Sequence, residues 1–158
     1  MSRTERSADA VRAAARLAKV AGTALVEADL TLPQYRVLVF LDAGERPASH
    51  VAALLGVAPS TVTSAVDGLV ARGLVERCAD PSDRRRVVLA LTPSGRQVLR
   101  RGDDVVAARL DRLLGFLDAE EAETVLVGLA HLNRAMERSL AERFGPPSGD
   151  PDRPAPSR

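Results

Sequence analysis

The stretch Arg46–Gly73 constrains the fold more than any other part of the chain. It holds two short segments of helical periodicity, His50–Leu55 and Pro59–Arg72, separated by Gly56 and closed by Gly73. A helix ends readily where the next residue can turn left-handed, and glycine does so without a Cβ penalty. Ser49 is placed to cap the first segment, and Pro59 suits the first turn of the second, where a missing N–H leaves no bond unmade. Two short helices joined by a tight glycine-containing turn read as a helix-turn-helix. The second helix is two-faced. Val62, Ala65, Val66, Leu69 and Val70 fall at i, i+3, i+4, i+7 and i+8, which makes one buried stripe. Ser60, Thr61, Thr63, Ser64, Asp67, Gly68 and Arg72 are expected to face out, and a face of small polar residues can enter a groove that a bulky one could not.

After Gly73 the period shortens. Leu74–Cys78 and Val87–Leu91 read as two strands joined by the polar segment ADPSDRRR, a hairpin with a charged tip. A first helix is expected over Thr4–Asp29. A second follows Thr31, with Gln34 at capping-box spacing and Pro33 in its first turn, and ends at Asp42-Ala43-Gly44. Thr92 and Pro93 open a long helix to about Leu117, with Gly102 as its candidate bend. Asp118 and Glu121, again at capping-box spacing, open a last helix over Ala119–Phe144. The expected fold is mainly α with a small β-hairpin wing: a winged helix-turn-helix plus a helical dimerisation domain. The Pro- and Gly-rich tail from Gly145 onward is expected to be disordered.

Composition narrows the function. Apolar residues make up 46% of the chain, yet aromatics only 3%, so Ala, Leu and Val must fill the core. Net charge is +1, but the segment Arg72–Arg101 carries eight arginines against Glu76, Asp80 and Asp83. A local basic excess in a near-neutral chain points to one anionic partner surface. The single cysteine, Cys78, excludes an intramolecular disulfide and reads as an inert thiol packed in a strand. The N-terminal MSRTERSADAVR lacks an apolar run, and no stretch of about 18 apolar residues exists to span a membrane, so a cytoplasmic protein is expected. No metal-ligand spacing, nucleophile elbow, P-loop or dinucleotide fingerprint is present, and His50 and His131 lie far apart. No catalytic residue, metal or cofactor is therefore expected. The alternative to DNA binding is a winged-helix protein–protein module. That reading calls for a neutral or apolar wing, and this wing carries three consecutive arginines.

The strings LTLPQYRVLVFL, HVAALLGVAPSTVTSAVDGLVARGLVER and DPSDRRRVVLALTPSG together resemble the MarR family of transcriptional regulators, in motif detail over Asp29–Leu99 and in layout beyond. The resemblance implies a homodimer whose terminal helices interleave. Residues 1–30 and 103–144 then form a helical dimerisation region, 31–102 the DNA-binding lobe and 145–158 the tail. It implies double-stranded DNA as partner, repression as the commoner outcome, and a small-molecule or redox signal that alters the spacing of the two lobes. Two-fold symmetry calls for a pseudo-palindromic operator with half-sites about 10 base pairs apart.

On that plan the helix Pro59–Arg72 enters the major groove by its N-terminal end. Ser60 and Thr61 suit phosphate oxygens, while Thr63, Ser64 and Asp67 are the candidates for base edges. In the wing, Asp83 and Arg85 match the family's Asp-x-Arg: Arg85 would reach the minor groove with Asp83 orienting it. Arg84 and Arg86 would contact phosphates or pair with Asp80 and Glu76. Relatives often carry Arg near positions 64 and 68, where this chain has Ser64 and Gly68, so bidentate contacts to guanine are lost there. Ala58 at the cap position forgoes about 1 kcal/mol of capping. By the same analogy, Arg16, Tyr35, Arg36 and His131 are the candidates for an effector pocket.

Overall fold

The protein is described from a computed structural model over residues 3–44, 46–56, 59–79 and 87–145. In chain order the elements are α1 (Arg3–Ala24), a 3-10 turn (Leu25–Ala28), α2 (Leu32–Asp42), β1 (Arg46–Pro47), α3 (Ala48–Leu55), α4 (Pro59–Ala71), β2 (Val75–Ala79), β3 (Val87–Leu91), α5 (Pro93–Leu114) and α6 (Ala119–Phe144). This is the winged-helix plan expected from the sequence, with differences that have local causes.

The expected first helix breaks in two. α1 stops at Ala24, and the 3-10 turn after it closes on Asp29, whose φ of 55° is left-handed. The Asp29 and Leu30 amides donate back to the Val26 and Leu25 carbonyls at 3.1 and 3.0 Å, so the turn is satisfied from within. Aspartate is one of the few residues besides glycine that tolerate this backbone conformation. At α2 the capping box forms in both directions. The Gln34 amide donates to Thr31 Oγ1 at 3.3 Å, and the Thr31 amide donates to Gln34 Oε1 at 3.0 Å.

α3 begins at Ala48, before the expected cap at Ser49, because Pro47 closes a strand immediately ahead of it. That strand, β1, adds a third member to the expected hairpin, giving an antiparallel sheet in the order β1-β3-β2. Two residues, one a proline without an N–H, leave no alternation pattern to read in the sequence. Gly56 and Gly73 take φ of 60° and 66°, the left-handed positions foreseen for them. The chain then runs into β2, which pairs with β3 from Val75↔Leu91 to Ala79↔Val87. The segment 80–86 that joins these strands lies outside the described residues, as do Ala58 and the tail 146–158.

Thr92 locks the sheet to α5. Its hydroxyl accepts from the Gly95 amide at 3.0 Å and donates to the Gly73 carbonyl at 2.8 Å. A Cβ on Gly95 would overlap the Leu74 carbonyl oxygen, so the first turn of α5 sits where only glycine fits. α5 then runs unbroken through Gly102, the candidate bend. This glycine permits close packing: a Cβ there would come within 3.0 Å of Cδ2 of the Tyr35 ring.

The core lies inside the winged lobe and at the roots of α1 and α5. Leu25, Leu38, Leu41, Leu69, Leu89, Val37, Val51, Val75 and Val88 are fully buried. α6 contributes little to it: from Ala119 to Arg143, all residues are exposed except Ala122, Leu129 and Leu140, which are half-buried. Val125, Leu126, Leu132 and Met136 on this helix, Val11 on α1, and Leu113, Phe116 and Leu117 near the α5–α6 turn are exposed apolar side chains.

Candidate DNA-binding surface

α4 is a poor helix former by composition, rich in Ser, Thr and Val and carrying Gly68, which alone costs about 1 kcal/mol relative to alanine. Its buried stripe outweighs this. Val62, Ala65, Val66 and Leu69 are buried and Val70 is half-buried, and a fully buried Val or Leu contributes about 1.5–3 kcal/mol. Burial of that stripe fixes the rotation of the helix. Ser60, Thr61, Thr63, Ser64 and Asp67 are consequently all exposed, as the sequence implied.

Two residues assigned to the outer face do not belong to it. Gly68 is half-buried, and a Cβ there would lie 3.0 Å from Gln34 Nε2, so the C-terminal half of α4 leans on the start of α2. Arg72 folds back onto Asp29. Its Nη1 donates to the Asp29 carbonyl oxygen at 2.7 Å, and its Nη2 lies 3.0 Å from Oδ2. Asp67 remains on the exposed face, but its Oδ1 accepts from Arg77 Nη2 of β2 at 2.6 Å. These links were not read from the sequence. Asp29–Arg72 spans 43 residues and Asp67–Arg77 ten, and no helical or strand spacing connects either pair.

The charge distribution sharpens accordingly. Of the eight arginines between Arg72 and Arg101, Arg72 and Arg77 are already neutralised by Asp29 and Asp67. Asp83, Arg84, Arg85 and Arg86 lie outside the described residues.

The four effector candidates do not converge. Tyr35 donates its hydroxyl to Asp103 Oδ1 at 2.7 Å, joining α2 to α5. Partial burial and the adjacent carboxylate raise its pKa well above the ordinary tyrosine value. Arg36, the next residue, turns the other way and donates through Nη2 to the Leu55 carbonyl at 2.9 Å, satisfying the end of α3. Arg16 on α1 and His131 on α6 are exposed. An open hollow at the α5–α6 turn is lined by Leu117, Asp118, Glu120, Glu121, Thr124 and Val125, and so by none of the four. Among the described residues, no group of three or more His, Cys, Asp or Glu side chains is placed to hold a metal ion. No described helix is long and apolar enough to cross a membrane.

An exposed small-residue helix following a short helix and a glycine turn, and flanked by an antiparallel hairpin, defines a winged helix-turn-helix DNA-binding protein. A model of the MarR family matches residues 28–86. The HTH-type transcriptional regulator YfiV of Bacillus subtilis is 34% identical over 115 residues, which cover 72% of each chain. The transcriptional repressor CouR, solved bound to a 23-mer DNA duplex, is 34% identical with a TM-score of 0.63, over 79% of this chain and 89% of CouR. CouR of Rhodococcus jostii bound to p-coumaroyl-CoA is similar over 85% and 88% of the two chains, at 30% identity and a TM-score of 0.62. MarR of E. coli in its apo form gives 25% identity and a TM-score of 0.71, over 84% and 97%. The chain belongs to the MarR family of DNA-binding transcriptional regulators.

Proposed function

We propose that this protein is a cytoplasmic, non-enzymatic repressor that binds a pseudo-palindromic operator as a homodimer and is released by a small-molecule ligand. The observation that carries the DNA reading is the exposed polar face of α4, held outward by its buried stripe and packed beside β2. Ser60 and Thr61 meet phosphate oxygens at the helix start, and Thr63 and Ser64 meet base edges. Arg85 enters the minor groove with Asp83 orienting it, and Arg84 and Arg86 contact the backbone. The loss of arginine from the outer face of α4 shifts specificity toward hydroxyl contacts, bridging water and DNA shape.

The dimer is supported by α6, whose apolar residues have little to cover them within one chain. Residues 1–30 and 103–144 would supply the dimer interface and 31–102 the DNA-binding lobe. Repression and a small-molecule effector are supported by CouR, a repressor solved both on DNA and with p-coumaroyl-CoA. Arg16, Tyr35, Arg36 and His131 remain the residues proposed to approach that effector; of these, Tyr35 and Arg36 would first have to leave Asp103 and Leu55.

The test is a fluorescence-anisotropy titration of the protein with duplex from its own upstream region, at two salt concentrations, against an unrelated duplex. Preference for the upstream duplex that persists at the higher salt supports the proposal. Equal binding to both duplexes and to heparin removes it.

A further inference from the structure

We propose that Arg77 is a positioning residue for DNA binding: it acts through Asp67, masking the one carboxylate that α4 would otherwise present to the duplex. The inference rests on the reading of α4 as the helix that enters the groove.

Asp67 is the sole ionisable residue in Pro59–Ala71. Ser60, Ser64 and Asp67 stand at i, i+4 and i+7, so the carboxylate lies in line with the residues aimed at DNA, and all three are exposed. A duplex carries one negative charge per about 1.7 Å of its axis, and an unmasked carboxylate at that surface opposes binding. Arg77 reaches it from β2 in a charge-assisted hydrogen bond of 2.6 Å. Arg77 pairs across the sheet with the buried Leu89, and its neighbour Glu76 with Ala90, so Glu76 points to the opposite face of the strand and does not compete.

The exposure of the pair shows what the contact is for. The side chains of Arg77 and Asp67 keep 47% and 56% of their accessible surface, and an ion pair this wet adds little to stability. Its effect falls on the charge pattern that DNA meets. Arg77 is thereby withdrawn from the set of arginines free to contact phosphates, and α4 approaches the groove electrically neutral.

The experiment is a double-mutant cycle on the full-length protein, using R77A, D67N and D67N/R77A, with anisotropy titrations of the upstream duplex over a range of salt and a thermal melt of each variant. R77A is expected to bind about tenfold more weakly than wild type, and D67N/R77A to recover most of that loss. The slope of log K against log salt in R77A should equal that of wild type, because Arg77 held by Asp67 contacts no phosphate; a direct contact would remove about 0.9 from it. Should R77A fold poorly by its melt, R77Q, which removes the charge with a smaller change of side-chain bulk, carries the same affinity and slope comparison with wild type. A double variant as weak as R77A, a slope reduced by a full contact, or R77A binding like wild type would overturn the proposal. Failure of wild type itself to prefer its upstream duplex would instead remove the reading on which it rests.

Discussion

Arg72 and Asp29 hold each other by two bonds of different kinds, one to a backbone carbonyl and one to a carboxylate. The contact ties the residue just past α4 to the left-handed residue that ends the α1 connection. It therefore runs from the end of the α1 connection to the end of α4, and it engages the Arg72 guanidinium with Asp29. Arg72→Ala should lower the free energy of unfolding by about 1 kcal/mol, mostly through the carbonyl bond, since Asp29's side chain is largely exposed. Urea denaturation measures the loss. The salt dependence of DNA binding should stay at the wild-type slope, which a phosphate-contacting arginine would not allow.

Tyr35 gives a pH signature. Its folded pKa lies above the ordinary tyrosine value of about 10, because burial and the Asp103 carboxylate both disfavour the phenolate. At a pH above that ordinary value the unfolded chain releases the proton while the folded chain keeps it. The unfolded state then binds fewer protons, and stability falls as pH rises. Below pH about 9 the contribution is fully present. Tyr35 is the chain's single tyrosine, so tyrosinate absorbance follows it directly. Tyr35→Phe should cost about 1 kcal/mol at neutral pH and flatten the loss of stability above pH about 10.

Sequence patterning showed the elements well and their junctions poorly. The stripe of α4, the capping boxes at Thr31 and Asp118 and the left-handed glycines at 56 and 73 follow from periodicity and backbone sterics, which act over a few residues. What stayed hidden depends on tertiary approach. Gly102 reads as a bend in a helix until Tyr35 is found packed close to it, and Gly68 reads as solvent-facing until Gln34 is found against it. β1 is defined by its partner β3 and not by its own two residues. Of the candidate site, the exposed face of α4 was legible because burial of the opposite face dictates it. The capture of Asp67 and Arg72 by Arg77 and Asp29 was not, since ion pairs between exposed residues leave no periodic trace.

Gly95 shows how little room such a junction has. An added methyl would overlap the Leu74 carbonyl and come within 2.8 Å of Leu91 Cδ1, and the first obstacle is backbone that cannot rotate away. Gly95→Ala should therefore destabilise by about 3 kcal/mol. The alanine's better helix propensity, worth about 1 kcal/mol in an open helix, cannot offset that. Gly128 provides the control. It lies on exposed α6, and a methyl added there would meet nothing within 4 Å, so Gly128→Ala should stabilise or be neutral. Thermal or urea unfolding should show a large loss for the first variant and none for the second.

On the proposed reading, the wing would supply the affinity that α4, without arginine on its outer face, does not. Arg85→Ala is expected to weaken operator binding sharply and to flatten the salt dependence by about one phosphate equivalent or less. A variant that binds as tightly as wild type would exclude Arg85 from the interface.

The exposed apolar residues of α6 yield the last expectation. Val125, Leu129, Leu132, Met136 and Leu140 recur at helical spacing along one side, and Leu132 and Met136 are each about half exposed in the single chain. Apolar side chains repeated along one side of an uncovered 26-residue helix are more than isolated surface residues and call for a covering partner. If a second copy covers them, a charge at Leu132 or Met136 is placed in a desolvated interface and opposes association. Leu132→Asp and Met136→Asp should then sediment as monomers at micromolar concentration, where wild type should sediment as a dimer. Because neither residue belongs to the lobe's core, far-ultraviolet circular dichroism should retain the winged lobe's signal. Operator affinity should fall steeply, since two linked lobes grip a pseudo-palindrome far more tightly than either alone. Wild type sedimenting as a monomer under these conditions would remove the dimer.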